Sequence, residues 1–456
     1  LDLPIVDNVA AIGHNGLRVN VDHAPFQPLS DCNHESFIVH DGTIYNSTEL
    51  REGLSFHRFE TSSDSETIIH LVEESSSSNL HEAVMMALPK LYGVYAFAVI
   101  RGDRVVLTRD PVGVKPLYWG ENDTEFAFAS ERKALWSIGV KDVTPLPPGF
   151  IGVITPDEKV AFPAWTLNRP QIVDVGIAEG AVDLKERLHY TCERFVKGFD
   201  SVAVAFSGGV DSSLIAKVVD DLGVKPVLFA AGFRRSHDVE VAERVASKLG
   251  YEIRLRNLSF GEAGEYVSRV VYAVEEADLM KVGVGLPLYA SAESARSLGF
   301  KVILSGQGAD ELFGGYARYL HVLRDGGYEE LHDELWGDIL KISEVNLQRD
   351  DAVTMANSVE SIVPFLDLSM IETAMSLHPR LKVSGASDPL RKLVLRRVAE
   401  AVGLPMEVVN LPKKAVQYGS GADRVIRRLS KKRGFKQPRS YLRSVLGSVF
   451  EDVLYT

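Results

Sequence analysis

The chain holds only two cysteines, Cys32 and Cys192, in 456 residues. That excludes a disulfide framework and a four-thiolate zinc site, and it fits a reducing, cytoplasmic setting. No apolar run approaches the roughly 18 residues of a membrane-spanning helix, so no membrane association is expected. The opening segment, Leu1 to Ala10, lacks the basic-then-apolar signature of a secretion leader. The twelve histidines show none of the spacings of a zinc site, so no zinc is expected. There is no internal repeat at a fixed period. Positive charge is in deficit: 50 Lys and Arg face 62 Asp and Glu, a net charge of −12, which argues against general nucleic-acid binding. With 45% apolar and 25% charged residues the chain is not disordered, and its length allows about two to four domains, each with its own core.

Two patterns divide the chain. In residues 1–140 short apolar stretches are split by turn residues, and Phe37–His40, Tyr95–Ile100, Val105–Leu107 and Phe126–Ala129 read as strands. Helices are expected at Ser65–Glu74 and His81–Tyr92, with a loop at Ser75–Asn79. A layered α+β or sandwich domain follows. Pro145, Pro147, Pro148 and Gly149 mark a break, and a Pro-punctuated connection runs from Pro156 to Pro170. From about residue 180 helix and strand alternate. Helices Val182–Lys197, Ser212–Leu222, Val239–Leu249 and Pro287–Leu298 interleave with strands Ser201–Phe206, Pro226–Ala231, Glu252–Arg256 and Lys301–Leu304. That alternation predicts a doubly wound parallel sheet, with a mostly helical remainder.

The most informative stretch is the strand Ser201–Phe206 followed by Ser207-Gly-Gly-Val-Asp-Ser-Ser213. Gly208 and Gly209 let backbone approach a phosphate, and the N–H groups of the helix start face the anion. Ser207, Ser212 and Ser213 add hydroxyls. Asp211 is itself negative, so its place beside a phosphate loop makes sense as a Mg²⁺ ligand. A serine-capped Gly turn is the plain alternative. No Lys follows the glycines, so this is not the Gly-x-x-x-x-Gly-Lys loop.

The loop resembles the pyrophosphate loop of the ATP pyrophosphatases. Two further motifs, Leu304-Ser-Gly-Gln-Gly-Ala-Asp-Glu-Leu-Phe-Gly-Gly-Tyr316 and Ser358-Val-Glu-Ser-Ile-Val-Pro-Phe-Leu-Asp367, complete a resemblance to the synthetase domain of asparagine synthetases. In the N-terminal half, His40-Asp-Gly-Thr-Ile-Tyr-Asn46, Thr61-Ser-Ser-Asp64, Thr108-Arg-Asp-Pro-Val-Gly-Val-Lys-Pro-Leu-Tyr118 and Phe128-Ala-Ser-Glu131 resemble their glutaminase domain. The resemblance implies an Ntn-hydrolase-like α/β sandwich over 1–165, incomplete at its start, then a doubly wound ATP pyrophosphatase domain over 175–456 with a helical C-terminal part. It further implies an N-terminal cysteine nucleophile and some dozens of residues ahead of Leu1.

Several site residues follow from the resemblance. Ala205, Ala231, Ser305 and Gly306 would contact adenosine, and Asp238 would lie near the phosphates. Asp211 and Asp310 would hold Mg²⁺ on the pyrophosphate; the plain reading of Asp310 and Glu311 is charge compensation at a helix start. Lys413, with Lys414 beside it, would stabilise the phosphorus under attack. Glu360 would serve the acceptor region or pair with Arg349. Two positions depart from the family: Ile362 stands where Arg is usual, and Gln307 where Glu is usual. An amide cannot take a proton at neutral pH, so Gln307 is no base.

The glutamine pocket is degenerate. Gly16 replaces an Arg for the glutamine carboxylate, Asp41 an Asn that donates to the oxyanion, and Thr43 a Glu for the amine. Asp64 alone is kept, and Gly42 belongs with Asp41 to the altered pocket. An Asp beside an oxyanion repels it, so ammonia, from solution or a tunnel, is the expected nitrogen source rather than glutamine. The expected reaction is adenylation of the aspartate side-chain carboxylate by ATP with Mg²⁺, then displacement of AMP by ammonia. Another AMP-forming amide ligase, such as a β-lactam-synthetase-like cyclase, or a non-catalytic nucleotide- or RNA-binding relative, is the alternative; the cyclases place Tyr at position 307. Residues 424–443 carry nine basic groups and no acid, read as a solvated helix face or a cover for the nucleotide phosphates rather than an RNA surface. A related carboxylic acid is the alternative acceptor, and a homodimer the candidate assembly.

Overall fold

A computed structural model describes the chain apart from residues 1–4, 7–9, 18, 20–26, 76, 234–235, 413–415 and 452–456. It forms two compact units, Leu1–Asn168 and Arg169–Thr456. No helix among the described residues is long and apolar enough to cross a membrane.

The first unit is built on a six-stranded antiparallel sheet, in the order Lys159–Pro163, Phe150–Ile154, Arg104–Arg109, Gly93–Arg101, Ser36–Ile44, Leu29–Ser30. The strand Gly93–Arg101 is apolar on both faces because both are covered. Tyr95, Phe97 and Val99 pack with Ile68, Ile69 and Val72 of helix Asp64–Glu73 and Ala83 and Val84 of helix Leu80–Ala87. Ala96, Ala98 and Ile100 face Leu107, Leu117 and Leu146, with Trp119, Phe126 and Phe128 from a smaller sheet of Tyr118–Glu121, Phe126–Ala129 and Val143–Pro145. The helix expected over His81–Tyr92 ends at Ala87 and tightens into a 3₁₀ turn, Leu88–Lys90. Pro89 lacks the N–H that would continue the α-helix.

The Arg109-Asp110-Pro111 segment serves the fold. Buried Arg109 donates to the carbonyls of Leu146 (2.9 Å) and Gly113 (2.8 Å). The Asp110 carboxylate accepts the N–H groups of Val112, Gly113, Val114 and Lys115. Burial pushes the Asp110 carboxyl up; Arg109 and these N–H donors oppose that.

The second unit carries a five-stranded sheet in the order Glu252–Leu258, Lys225–Phe233, Ser201–Ala205, Val302–Leu304, Glu360–Ile362, with every pairing parallel. The chain runs outward from the central strand to one edge, then returns to its other side. This makes a topological switch point between Ser201–Ala205 and Val302–Leu304, where ligands bind outside the carboxyl ends of such sheets. The helix expected from Pro287 starts at Leu279, capped by Asp278 on the Lys281 N–H. Pro287 costs a hydrogen bond there, but Val282, Leu286 and Ala290 are fully buried and hold the helix together.

Phe97 is fully buried between the two helices and the sheet. Phe97→Ala is expected to destabilise the first unit by about 3–5 kcal/mol, read by urea denaturation followed at that unit. A loss below about 1 kcal/mol would contradict this placement of the core.

Candidate active site

The phosphate loop leaves the central strand at Ala205. Gly208 has φ +75°, and a Cβ there would lie 3.1 Å from the Ala242 backbone, so the loop admits no side chain against helix His237–Leu249. The Gly209 N–H donates to the Ser207 hydroxyl and the Ser207 N–H to Ser212 Oγ, each at 3.3 Å. The Ser213 hydroxyl is buried with no partner among the described residues. Gly209 caps the helix Val210–Asp221, whose first N–H groups end at the switch point. Opposite, Ser305 and Gly306 follow Val302–Leu304. A Cβ on Gly306 would come within 3.0 Å of the Asp211 Cβ, so its glycine lets the two loops close on each other.

Asp211 and Asp310 converge on one cation. Lys392 Nζ lies 2.7 Å from Asp211 Oδ2 and 2.6 Å from Asp310 Oδ1. The lysine is 1% exposed, so this is a buried ion triad. Asp211 Oδ1 is buried with no hydrogen-bond partner among the described residues. Gly315 makes the room: a Cβ there would collide with the Asp310 carboxylate and the Lys392 side chain.

Lys392 is aimed by a turn at unusual backbone angles. Arg391 and Lys392 both sit in the left-handed region, at φ +57° and +55°, at a cost of about 1–3 kcal/mol each. Asp388 accepts the N–H groups of Ser384, Leu390 and Arg391 at 2.9–3.0 Å. Burial alone would raise the Asp388 carboxyl; those donors outweigh it and hold it low. Arg391 Nε donates to the Gly315 carbonyl (3.1 Å). Arg396 donates to the carbonyls of Arg391, Leu390 and Leu411, tying this turn to the segment that leads into residues 413–415.

Glu311, next to Asp310, is also buried. Its Oε1 accepts from Tyr316 Oη and Asn346 Nδ2, both at 2.7 Å, and its Oε2 is buried without a partner among the described residues. Burial, then the charge of Asp310, pushes this carboxyl up. Asn346 reaches it from a π-helical segment, Ser343–Leu347, set between helices Arg318–Ile342 and Gln348–Met355.

The other expected residues are spread around this crevice. Gln307 is half-buried and its N–H donates to Ser305 Oγ (3.2 Å). Ala231 is buried in the neighbouring strand. Asp238 opens helix His237–Leu249, and Gly419 leaves space for its carboxylate. Glu360 begins the edge strand, level with Val302 and two residues short of the strand's carboxyl end. The alternative pairing of Glu360 with Arg349 gives way to another: Arg349 sits 2.8 Å from the Asp350 carboxylate and 3.2 Å from Asn346 Oδ1. Lys413 lies outside the described residues. Sequence reasoning missed Lys392, Asn346 and Arg396.

In the first unit Asp41 and Gly42 lie on Ser36–Ile44, beside Ala96 and Tyr95. Asp41 is not an unmatched negative charge, as the sequence implied: buried Lys115 places Nζ 3.4 Å from its Oδ1. His14 lies near it, held below its ordinary value chiefly by burial. Asp64 Oδ2 accepts the Ile44 N–H at 2.7 Å, Thr43 is exposed, and exposed Gly16 sits against the His14 ring.

Lys392→Met removes the shared cation from two carboxylates in a buried setting. It is expected to cost about 3–5 kcal/mol of stability, part of which Mg²⁺ restores. Thermal melts with and without Mg²⁺ read this. An unchanged, Mg²⁺-insensitive melt would contradict the triad.

The relatives agree with this division. Residues 14–137 match the glutamine amidotransferase domain family, and residues 183–328 and 324–437 match the asparagine synthase family. A Methanocaldococcus jannaschii protein, provisionally named asparagine synthetase [glutamine-hydrolyzing] 1, is 38% identical over 96% of this chain and 87% of its own. The asparagine synthetase [glutamine-hydrolyzing] of Sandersonia aurantiaca is 29% identical over 90% of this chain and 79% of its own, and asparagine synthetase [glutamine-hydrolyzing] 3 of Arabidopsis thaliana is 31% identical over 82% and 64%. The motifs, the domain matches and the extent of the first of these likenesses place the chain in the asparagine synthase family.

Proposed function

We propose that this ligase-type enzyme adenylates the side-chain carboxylate of aspartate with ATP and then forms the amide with ammonia, releasing AMP and pyrophosphate. The convergence of Asp211 and Asp310 on one buried cation at the switch point carries the reading. The donor set fits a divalent cation: two carboxylates point at one spot, and Asp211 keeps a buried oxygen with no partner among the described residues. Asp211 and Asp310 would hold Mg²⁺, which when bound would neutralise charge on the pyrophosphate.

The chain's own groups do the rest. The N–H groups that open helix Val210–Asp221, with the hydroxyls of Ser207, Ser212 and Ser213, receive the phosphates. Lys392 adds positive charge beside them and fixes the two carboxylates. Ala205, Ala231, Ser305 and Gly306 line the adenosine side, with Asp238 near the phosphates. Lys413 is assigned to the α-phosphorus, where a cation stabilises the pentavalent arrangement. Glu360 and Gln307 are assigned to the acceptor side, Gln307 as a hydrogen-bonding group and not as a base.

Ammonia, not glutamine, is the proposed nitrogen source, although the relatives' names specify glutamine. The positions that would grip a glutamine hold Gly16 and Thr43, and Asp41 is occupied by Lys115. Each lost charged contact is worth about 1.5–3 kcal/mol.

Asp211→Asn is expected to fold normally and to lose aspartate-dependent pyrophosphate release from ATP and Mg²⁺; near-normal turnover would overturn the site. With ammonium the wild type should form asparagine, while glutamine yields little glutamate. Glutamate release matching product one to one would overturn the nitrogen assignment, and turnover only with a different carboxylic acid would overturn the acceptor.

A further inference from the structure

The first unit gathers four metal-ligating side chains away from the residues discussed so far. Cys32 sits in the turn between Leu29–Ser30 and Ser36–Ile44, His57 in the loop after helix Ser47–Gly53, and His70 and Glu73 one turn apart near the end of helix Asp64–Glu73. One ligand atom from each — the Cys32 Sγ, a ring nitrogen of His57 and of His70, and a Glu73 carboxylate oxygen — lies within 4.8 Å of the others. We propose that Cys32, His57, His70 and Glu73 form a structural zinc site that ties the turn, the loop and the helix together.

The distances match tetrahedral zinc. Metal–sulfur and metal–nitrogen bonds of about 2.3 and 2.0–2.1 Å set ligand atoms about 3.5 Å apart for S···N and about 3.3 Å for N···O. Cys32 Sγ is 3.7 Å from Nδ1 of both His57 and His70. Glu73 Oε2 is 3.0 Å from His57 Nδ1 and 2.9 Å from His70 Nδ1.

Hydrogen bonding alone accounts poorly for this geometry. The Cys32 N–H and both imidazole Nδ1 atoms all address the single oxygen Oε2 of Glu73. That asks three donors of two lone pairs. His57 would also need protons on both ring nitrogens, because its Nε2 faces Glu74 Oε2 at 2.7 Å. A metal removes both difficulties. Each Nδ1 then offers a lone pair, and His57 Nε2–H donates to Glu74, the carboxylate–histidine–metal arrangement that fixes a ligand's tautomer. Asn33 Nδ2 donates to Glu73 Oε1 (3.2 Å), holding the carboxylate in place. Zinc with one thiolate, one carboxylate and two neutral imidazoles is net neutral, the thiol proton going to solvent. Four protein ligands close the coordination sphere, so the site is structural.

The expectation of no zinc rested on spacing along the chain, and the fold overrides it. Cys32 lies 25 residues from His57 and 38 from His70, separations that match no local signature. Only the His70–Glu73 pair, three apart on a helix, was local.

The test is metal analysis of the full chain produced in zinc-supplemented medium. Stoichiometric zinc is expected in the wild type and in Cys192→Ala, and its loss in Cys32→Ser and His57→Gln. Cobalt substitution of the wild type reports independently of whether the variants fold: a thiolate-to-cobalt charge-transfer band with intense tetrahedral visible bands is expected. Chelation should lower the melting temperature of the wild type and leave that of Cys32→Ser unmoved. Substoichiometric zinc that the substitutions do not change, or a cobalt spectrum with no thiolate band, would overturn the proposal.

Discussion

The second unit is organised around one buried lysine. Lys392 is held between Asp211, in the first turn of helix Val210–Asp221, and Asp310, in the short helix Ala309–Phe313 across the switch point. Two carboxylates this close would repel strongly in a buried crevice without a cation between them. The surrounding structure is arranged to permit the contact: Gly315 vacates the volume, Gly306 lets the loops meet, and a turn with two left-handed residues aims the lysine. Strain of that kind persists where the surroundings over-determine it, and here Asp388, Arg391 and Arg396 do so.

In the first unit's Arg109–Asp110 turn, the two terminal guanidinium nitrogens of Arg109 and the Asp110 carboxylate hold backbone partners. Gly16, Asp41 and Thr43 stand at the positions read above as the unit's glutamine pocket. Buried Lys115 lies 3.4 Å from the Asp41 carboxylate, so that charge is balanced within the protein. The packing of this unit depends on apolar faces such as Tyr95, Phe97 and Val99 and not on Gly16 or Thr43.

Much of this was legible in the sequence. Strands such as Gly93–Arg101 and Ser201–Ala205 announce themselves by apolar runs, and the turn Phe206–Gly209 by its glycines between strand and helix. The helix through Pro287 was not, because burial on every side outweighs one residue's preference. Lys392 was invisible for a different reason. In Pro389-Leu-Arg-Lys-Leu-Val it reads as a basic residue near a helix start, and nothing local says that it is buried or that its backbone is left-handed. Lys115 and the Cys32–His70 grouping share that property: their partners are distant in sequence, and only the fold brings them together.

The central claim is that an aspartate side-chain carboxylate attacks the α-phosphorus of ATP at this crevice. Aspartate carrying heavy oxygen in that carboxylate tests it directly, with the products separated and weighed after turnover with ammonium. The account predicts one labelled oxygen in AMP and none in pyrophosphate. Label in pyrophosphate or orthophosphate, or product formed with no label in AMP, would contradict it.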